Sequence, residues 1–287
     1  MNIALRIDRP GIAPYAGAEF GPVLLGMPHL AVNGLSETWL LKELGHRHWL
    51  QLARMSGRDV PSFQDRKGNA VYAAFRSVEI AGANFSSVRE NDTLHIDTEL
   101  SRISLSQVQS RHTLAANGVP IGVVTMISVF VRRDGSSSNH SVVRVEIDGL
   151  PPHAVGNKAQ VPSPSIAPNR MLPFSRLGPA GKRLNFTPCP SQDFNGAGFL
   201  YFSSFVAFVD RAEYAVDPKW SQFGMPNRRE IAYYRNLDPG DQISIDIIDI
   251  EKSDSQWKHY SRITRVSDAK CIAEVLTVKI ALNHLTT

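Results

Sequence analysis

A short polar loop in the second half of the chain combines residue types that could stabilise an oxyanion. Asp193 and Asn195 lie next to the small residues Gly196, Ala197 and Gly198, and an aromatic-rich stretch follows. The amide groups and the positive dipole end of a helix N-terminus stabilise a carbonyl oxygen that becomes an oxyanion or enolate. A glycine lets a ligand approach the backbone closely. We predict Asp193 and Asn195 as catalytic and the three small residues as substrate-binding, with helix capping as the alternative for the two polar residues.

A second loop of similar character occurs near the start of the chain. His29 and Asn33 precede Gly34, and the polar residues Ser36 and Glu37 follow it at the start of a helical pattern. We predict His29 and Asn33 as catalytic residues and Gly34, Ser36 and Glu37 as substrate-binding residues. The alternatives are that Ser36 or Asn33 caps the helix and that His29 is an ordinary loop histidine.

Three further side chains invite a chemical interpretation. Tyr72 lies in a stretch of strand formers, where a tyrosine either packs with its hydroxyl at the surface or faces a site. His46 and His48 are two residues apart, so on a helix they point in different directions. No zinc, phosphate-loop or dinucleotide motif occurs. The sequence therefore predicts no metal site and no resident cofactor.

Two helices and two groups of strands are needed to position these residues. Apolar residues return at helical period over 34–55, and a second apolar helical pattern covers 196–214. Strand-forming stretches follow each helix, at 70–80, 93–105, 107–115 and 119–132 after the first and at 230–235, 242–251, 256–265 and 269–282 after the second.

The region between the two groups has the composition of a linker. Residues 134–184 are rich in proline and serine, which favours an extended segment laid along the protein surface. We therefore predict an N-terminal domain over 1–133, a linker over 134–184 and a C-terminal domain over 185–287.

The same order of elements is accompanied by a sequence repeat. Residues 28–34 lie over 190–196 at a shift of 162 (190 − 28), with an Asn-Gly pair at the same place in both. Residues 92–97 lie over 241–246 at a shift of 149 (241 − 92), with an aspartate at each end of both segments. The change in shift falls between helix and strands, where a loop can shorten. Two collinear blocks in the same element order indicate an internal duplication.

A loop, one long helix and a strongly bent antiparallel sheet together make up the hot-dog plan. The predicted fold class is α+β, a tandem hot dog in which each central helix is wrapped by a curved sheet; two unrelated α+β domains are the alternative. The copies differ at one position of interest, because the first has Ala31 where the second has Asp193. If Asp193 is a general base, only the second half can use it, because the first half has Ala31 at this position.

The bulk composition excludes several classes of protein. Hydrophobic residues make up 43% of the 287 residues and charged residues 20%, which is typical of a soluble globular chain. The net charge of +4 is not concentrated in a basic block, so nucleic acid is not an expected partner. Cys189 and Cys271 form neither a metal spacing nor a disulfide framework. Without a signal peptide or a membrane-span pattern, we expect a soluble protein of the reducing cytoplasm.

Longer segments carry a more specific resemblance. The stretch GLSETWLLKELGHRHW at 34–49, and the region that runs from LNFTP at 184–188 to DRAEY at 210–214, resemble the double-hot-dog acyltransferase/decarboxylases of leinamycin-type polyketide biosynthesis. The resemblance covers most of the chain apart from the extreme N-terminus and the linker. It implies an enzyme that takes methylmalonyl-CoA, transfers and decarboxylates the acyl group, and leaves propionyl on an acyl carrier protein.

The resemblance also implies a tyrosine that accepts the acyl group. Tyr72 is the match, because it follows the helix of the first repeat; Tyr233 and Tyr234 are rivals from the second. A phenol, with a reference pKa of about 10, is a weak nucleophile at neutral pH, so a helix dipole or a cation such as Arg76 must favour the phenolate.

Two other functions remain open from the sequence. A thioesterase would use Asp193 to activate water, and a non-catalytic module would bind acyl groups without chemistry. The expected partners are methylmalonyl-CoA or a related acyl-CoA and an acyl carrier protein, whereas a membrane is not expected. The duplication already supplies the pairing that single hot dogs obtain by dimerising, so a further homodimer is allowed but not required.

Overall fold

The structure is a computed structural model that describes residues 20–135, 138–150 and 182–282. Residues 1–19, 136–137, 151–181 and 283–287 of the predicted domains and linker lie outside the described residues. Among the described helices, none is long and apolar enough to cross a membrane.

The first half is built around helix α1, Glu37–Met55. Ser36 caps it by accepting a hydrogen bond from the Trp39 amide at 3.3 Å, and leucines at helical spacing, such as Leu40 and Leu44, are fully buried against the sheet. The strands of this half are β1 Val23–Leu24, β2 Leu30–Ala31, β3 Gly34–Leu35, β4 Phe63–Gln64, β5 Ala70–Ala81, β6 Thr93–Arg102, β7 Gln107–Ala116, β8 Val119–Arg133 and β9 Val142–Arg144.

The second half repeats the plan around another central helix. Its helices are α2 Pro190–Asp193, α3 Phe202–Val216 and α4 Pro218–Phe223, and α3 is the central one. Its strands are β10 Arg183–Phe186, β11 Gly224–Tyr233, β12 Ile243–Lys252, β13 Gln256–Arg265 and β14 Cys271–Ala281.

One antiparallel sheet runs through both halves. Its central path has the strand order β1-β6-β7-β8-β5-β11-β14-β13-β12-β10, while β4 pairs with β5 and β9 with β8. The halves join where β5 meets β11, over Ser77–Ile80 and Arg229–Ala232. One apolar cluster spans this junction and packs both central helices against the sheet.

Two predicted boundaries differ from the structure for identifiable reasons. The second helix begins at Phe202 rather than 196, because residues 195–199 form a tight loop in which Gly198 has a φ of +77°. The predicted linker 134–184 also contains paired strand residues at its two ends, since β9 pairs with β8 and β10 begins at Arg183 and pairs with β12.

Candidate active site

A cavity of about 1000 Å³ lies where the two halves of the sheet separate. β5 and β11 are paired from Ser77 onward, whereas the earlier part of β5 stays with β8 and leaves a gap beside the loop that precedes α3. Both halves line the cavity. It is bounded by Lys42, Gly45, His46 and Trp49 of α1, by Tyr72 to Arg76 of β5, by Arg144 of β9, by residues between Ser191 and Phe205, and by Tyr233 to Asn236.

Tyr72 lies in this cavity on β5, directly opposite Val131 of β8. Its half-buried ring meets Phe199 edge-on, with 5.3 Å between the ring centroids, and the Arg133 guanidinium carbon is 5.9 Å from its centroid. The phenol oxygen makes no hydrogen bond to any residue that the structure describes. It is therefore free to meet a ligand.

Arg133 fixes the loop that borders Tyr72. Its Nη2 donates to the carbonyl of Ala197 at 2.6 Å and to Oδ1 of Asn139 at 2.8 Å. Asn139 in turn donates to the carbonyl of Gly198 at 2.6 Å. A cation of the first half thus holds the pre-helix loop of the second half against the Tyr72 side of the cavity.

Asn195 shapes the same loop from within. Its Oδ1 accepts the amides of Ala197 at 3.0 Å and Phe199 at 3.1 Å, as in a side-chain-stabilised turn. Asn195, Gly196 and Ala197 line the cavity, as expected for residues that meet a ligand, whereas Gly198 lies in the loop but outside the lining.

Asp193 is placed differently. Its side chain is 6% exposed, accepts the Cys189 amide at 2.7 Å and does not line the cavity. Its carbonyl accepts the Tyr201 amide at 2.7 Å and the Ser204 hydroxyl at 3.0 Å. The Asp193 side chain thus bonds back to the residue before α2 instead of capping α3, and these contacts hold the turn of α2 ahead of α3.

The predicted residues of the first loop do not line the cavity either. His29 accepts the Gly26 amide at 2.8 Å through Nδ1, and Asn33 donates to the carbonyl of Gln222 at 2.6 Å. Gly34 has a φ of +114°, and a Cβ there would overlap the carbonyl of Phe85. Together with the Ser36 cap, these contacts assign the first loop to the support of the fold.

Glu37 belongs to a buried ion-pair network at the start of α1. Its Oε1 is 3.3 Å from Nη1 of Arg229 on β11, and burial raises the pKa of Glu37 to about 7. Arg229 is 0% exposed and also contacts Asp210 at 2.9 Å and Glu213 at 3.4 Å. Glu213 completes the network with His259 at 3.0 Å and with Lys279.

The two helix starts therefore have opposite surroundings. The start of α3 meets β5 of the other half through Phe202 and Phe75, whose ring centroids are 4.4 Å apart beside the open cavity. The start of α1 meets β11 through Glu37 and Arg229, inside the ion-pair network. Related positions thus form a cavity in one case and a charged core in the other.

The two rival tyrosines are already engaged. Tyr233 donates to the carbonyl of Phe202 at 3.1 Å, and burial raises its pKa well above the usual range. Tyr234 donates to Oε2 of Glu274 at 2.7 Å, and burial together with this hydrogen bond raises its pKa. Both phenols line the cavity and donate hydrogen bonds, whereas the phenol of Tyr72 makes none to a described residue.

The cavity has a positive lining. Lys42, Arg76, Arg144 and Arg235 contribute to it, and none of the described lining residues is an aspartate or a glutamate. Such a wall attracts an anionic ligand.

His46 and His48, the two histidines considered for a metal site from the sequence, lie in different surroundings. His46 lines the cavity, whereas His48 is buried between the hydroxyls of Ser110 and Ser128, each at 2.8 Å. Sequence inspection missed His140, Asp238 and Asp241, whose potential ligand atoms lie within 4.8 Å of one another. Their side chains bond one another and the neighbouring backbone, and they lie outside the cavity lining.

Comparison with known proteins gives a match in structure. No protein-family description and no curated protein matches the sequence. The 12:0-ACP thioesterase from Umbellularia californica matches with a TM-score of 0.62 at 10% identity, over 91% of this chain and 93% of that one. An acyl-ACP thioesterase from Bacteroides thetaiotaomicron gives 0.58 at 10% identity, over 90% and 96%.

A third solved structure, described as an oleoyl thioesterase of Lactobacillus plantarum, matches with a TM-score of 0.63 at 9% identity, over 91% of this chain and 95% of that one. At such identities the likeness concerns the fold. The chain has the α+β double hot-dog fold, as the sequence predicted.

Proposed function

We propose that this chain is an enzyme of acyl thioesters in which Tyr72 accepts the acyl group. The observation that carries the proposal is the free phenol of Tyr72 in a cavity lined by cations. A phenol oxygen can accept an acyl group when neighbouring groups activate it, and Lys42, Arg76 and Arg144 share the cavity with Tyr72. The solved structures of the same fold, which are described as acyl-thioester hydrolases, add support to this substrate class.

The first step is an acyl transfer to Tyr72. A carbon–oxygen bond forms between the phenol oxygen and the thioester carbonyl, the carbon–sulfur bond breaks, and the phenol proton leaves with the departing thiol. The start of α3 borders the cavity at Phe202, and its N-cap residue Tyr201 supplies no side-chain cap. Its first amides suit an oxyanion that develops on the carbonyl oxygen.

The finer proposal is an acyltransferase/decarboxylase that converts methylmalonyl-CoA to propionyl on an acyl carrier protein in polyketide biosynthesis. The bond to the free carboxylate breaks, carbon dioxide leaves, and the electron pair forms an enolate that takes a proton from solvent. The carrier thiol then displaces Tyr72. Support comes from the sequence resemblance, from the positive cavity and from the position of Tyr72. A cytoplasmic setting fits these substrates.

Hydrolysis is the second candidate, since the structural matches are described as thioesterases. Against an Asp193 mechanism stands the position of this residue, whose carboxylate is buried and bonded to the Cys189 amide. His46 is the group of the lining that could still act as a general base toward water.

The test is an incubation with methylmalonyl-CoA, with and without a phosphopantetheinylated carrier protein, followed by intact-protein mass and product analysis. The proposal expects a covalent acyl adduct on the peptide that contains Tyr72, and propionyl on the carrier. Free acid without an adduct and without dependence on the carrier would replace the transferase by a hydrolase.

A further inference from the structure

Arg76 occupies an irregular position in the central sheet. Phe75 pairs with Ser128 and Ser77 with Ile127, so Arg76 is the extra residue of a β-bulge between β5 and β8. It also immediately precedes Ser77, where the pairing of β5 with β11 begins. Bulges redirect side chains and often lie beside functional sites. Arg76 therefore lies where the pairing of β5 with β11 begins, and it lines the cavity.

Arg144 shares one row of the sheet with Tyr72. It lies opposite Val131 of β8, which in turn lies opposite Tyr72 of β5. Residues directly opposite in antiparallel strands point to the same face, and two strand spacings amount to about 10 Å. Arg76 and Arg144 both line the cavity, and burial together with the neighbouring Arg144 charge lowers the pKa of Arg76.

No charge compensates this pair among the described residues. Neither Arg76 nor Arg144 makes a hydrogen bond or an ion pair there, in contrast to Arg133, Arg183, Arg229 and Arg265, which all have fixed partners. Arg144 is exposed and Arg76 is partly buried, and two like charges on one cavity wall attract an anion that can lie between them. Guanidinium groups match the geometry of carboxylate and phosphate in two-pronged hydrogen bonding.

We infer that Arg76 and Arg144 together bind an oxyanion of the ligand. Two parts of an acyl thioester carry such a group: the free carboxylate of a dicarboxylic acyl group and the phosphates of the coenzyme A or pantetheine carrier. The nature of the ligand rests on the proposed function, whereas the anion site rests on the two arginines alone. The pair would then select ligands by their charge.

The first experiment measures binding of malonate and inorganic phosphate by calorimetry. We expect the wild-type protein to bind at least one of them, and Arg76→Gln and Arg144→Gln each to weaken it about 10- to 100-fold, as for the loss of a charge-assisted hydrogen bond. Arg111→Gln is the matched control, because Arg111 is exposed on β7 and lies outside the cavity lining. Absence of binding, or equal weakening in the control, overturns the site.

The second experiment separates the two sources of the anion. Binding of malonyl-CoA, propionyl-CoA and malonyl-N-acetylcysteamine is compared between wild type and Arg76→Gln. A carboxylate site predicts a loss for both malonyl ligands and none for propionyl-CoA. A phosphate site predicts a loss for both coenzyme A ligands and none for the N-acetylcysteamine thioester. Unchanged binding of all three overturns the inference.

The measurements with malonate and phosphate are independent of catalysis, because neither ligand carries a thioester. A Tyr72→Phe variant should bind the three thioesters as the wild type does, even though it cannot form an adduct. Failure of the acyl-tyrosine mechanism would therefore leave the binding pattern in place, while failure of the anion site would appear as a loss of that pattern.

Discussion

Glu37 and Arg229 lie 3.3 Å apart, and this contact joins the first turn of the N-terminal central helix to a strand of the C-terminal half. Arg229 is enclosed by Glu37, Asp210 and Glu213 at once. Its guanidinium group is the contact that these three carboxylates share, which makes Arg229 the residue whose loss should matter most to the junction of the halves.

Arg229→Met should lower the free energy of unfolding by about 3–5 kcal/mol, because it leaves the buried Glu37 without its cation and removes one partner of the buried Glu213. Glu37→Gln should cost less, because burial already raises the pKa of Glu37 to about 7 and favours its neutral form. Urea denaturation followed by fluorescence measures both. Arg111→Met on the exposed face of β7 should change stability by no more than about 0.5 kcal/mol. An equal effect of Arg229→Met and this control would remove the structural role of the network.

Stability should fall as the pH drops below about 6.5, because two buried histidines resist protonation. Burial lowers the pKa of His48 to about 3, and burial together with the nearby His48 lowers that of His112 to about 3. Their ordinary pKa is about 6.5, so the unfolded chain binds protons first and each histidine should cost about 2 kcal/mol between pH 7.5 and pH 5.

The check on this prediction is His48→Leu, compared with the wild type in denaturation curves at several pH values. The variant loses the hydrogen bonds to Ser110 and Ser128 at every pH. It should nevertheless show a shallower decline between pH 7.5 and pH 5. A decline as steep as that of the wild type would mean that other groups control the acid sensitivity.

Tyr72→Phe should reduce acyl transfer by about 10³-fold or more, since the nucleophilic oxygen is removed while the ring is retained. Its fold should be unchanged, because the phenol oxygen bonds no described residue. The matched control is Tyr214→Phe, a tyrosine that is 61% exposed on α3. Formation of the adduct by mass spectrometry and thermal melting give the two readouts, and an active, acylated Tyr72→Phe protein would reject this assignment.

Asp193→Asn should keep most of the activity and lose about 1 kcal/mol of stability or less, because an amide oxygen can still accept the Cys189 hydrogen bond. The steady-state rate tests the expected activity, and the midpoint of urea denaturation tests the expected stability. A loss of 100-fold or more in kcat without a change in stability would instead identify Asp193 as a base and favour the thioesterase reading.

The long, regular elements were accessible from the sequence because their patterns are local. The apolar period of α1 and the alternation of β7 each lie within one stretch of chain, so the α+β plan and its repetition could be predicted. The start of α3 could not, because the side chain of Asn195 folds the preceding residues into a turn. The helical pattern predicted over 196–214 therefore includes Gly196 and Gly198, whereas α3 begins after them, at Phe202.

The surroundings of the site depend on pairings between distant residues. Nothing in the order of the chain places Glu37 beside Arg229, or Arg144 in the row of Tyr72. The bulge at Arg76 is likewise set by the register between β5 and β8. Residue type, position and the resemblance predict Tyr72 and Asn195 as site residues, and both line the cavity, whereas their neighbours follow only from the three-dimensional arrangement.

The start of α3 borders an open cavity, whereas the start of α1 is enclosed in an ion-pair network. This contrast has a consequence for the evolution of such a chain. In an assembly of two identical subunits, every substitution occurs in both subunits. A charge introduced into one interface cleft is therefore also present in the symmetry-related cleft. A covalent tandem removes this constraint. One cleft could acquire the Arg229 network and serve cohesion, while the other kept Tyr72 and its arginines and remained free to receive a ligand.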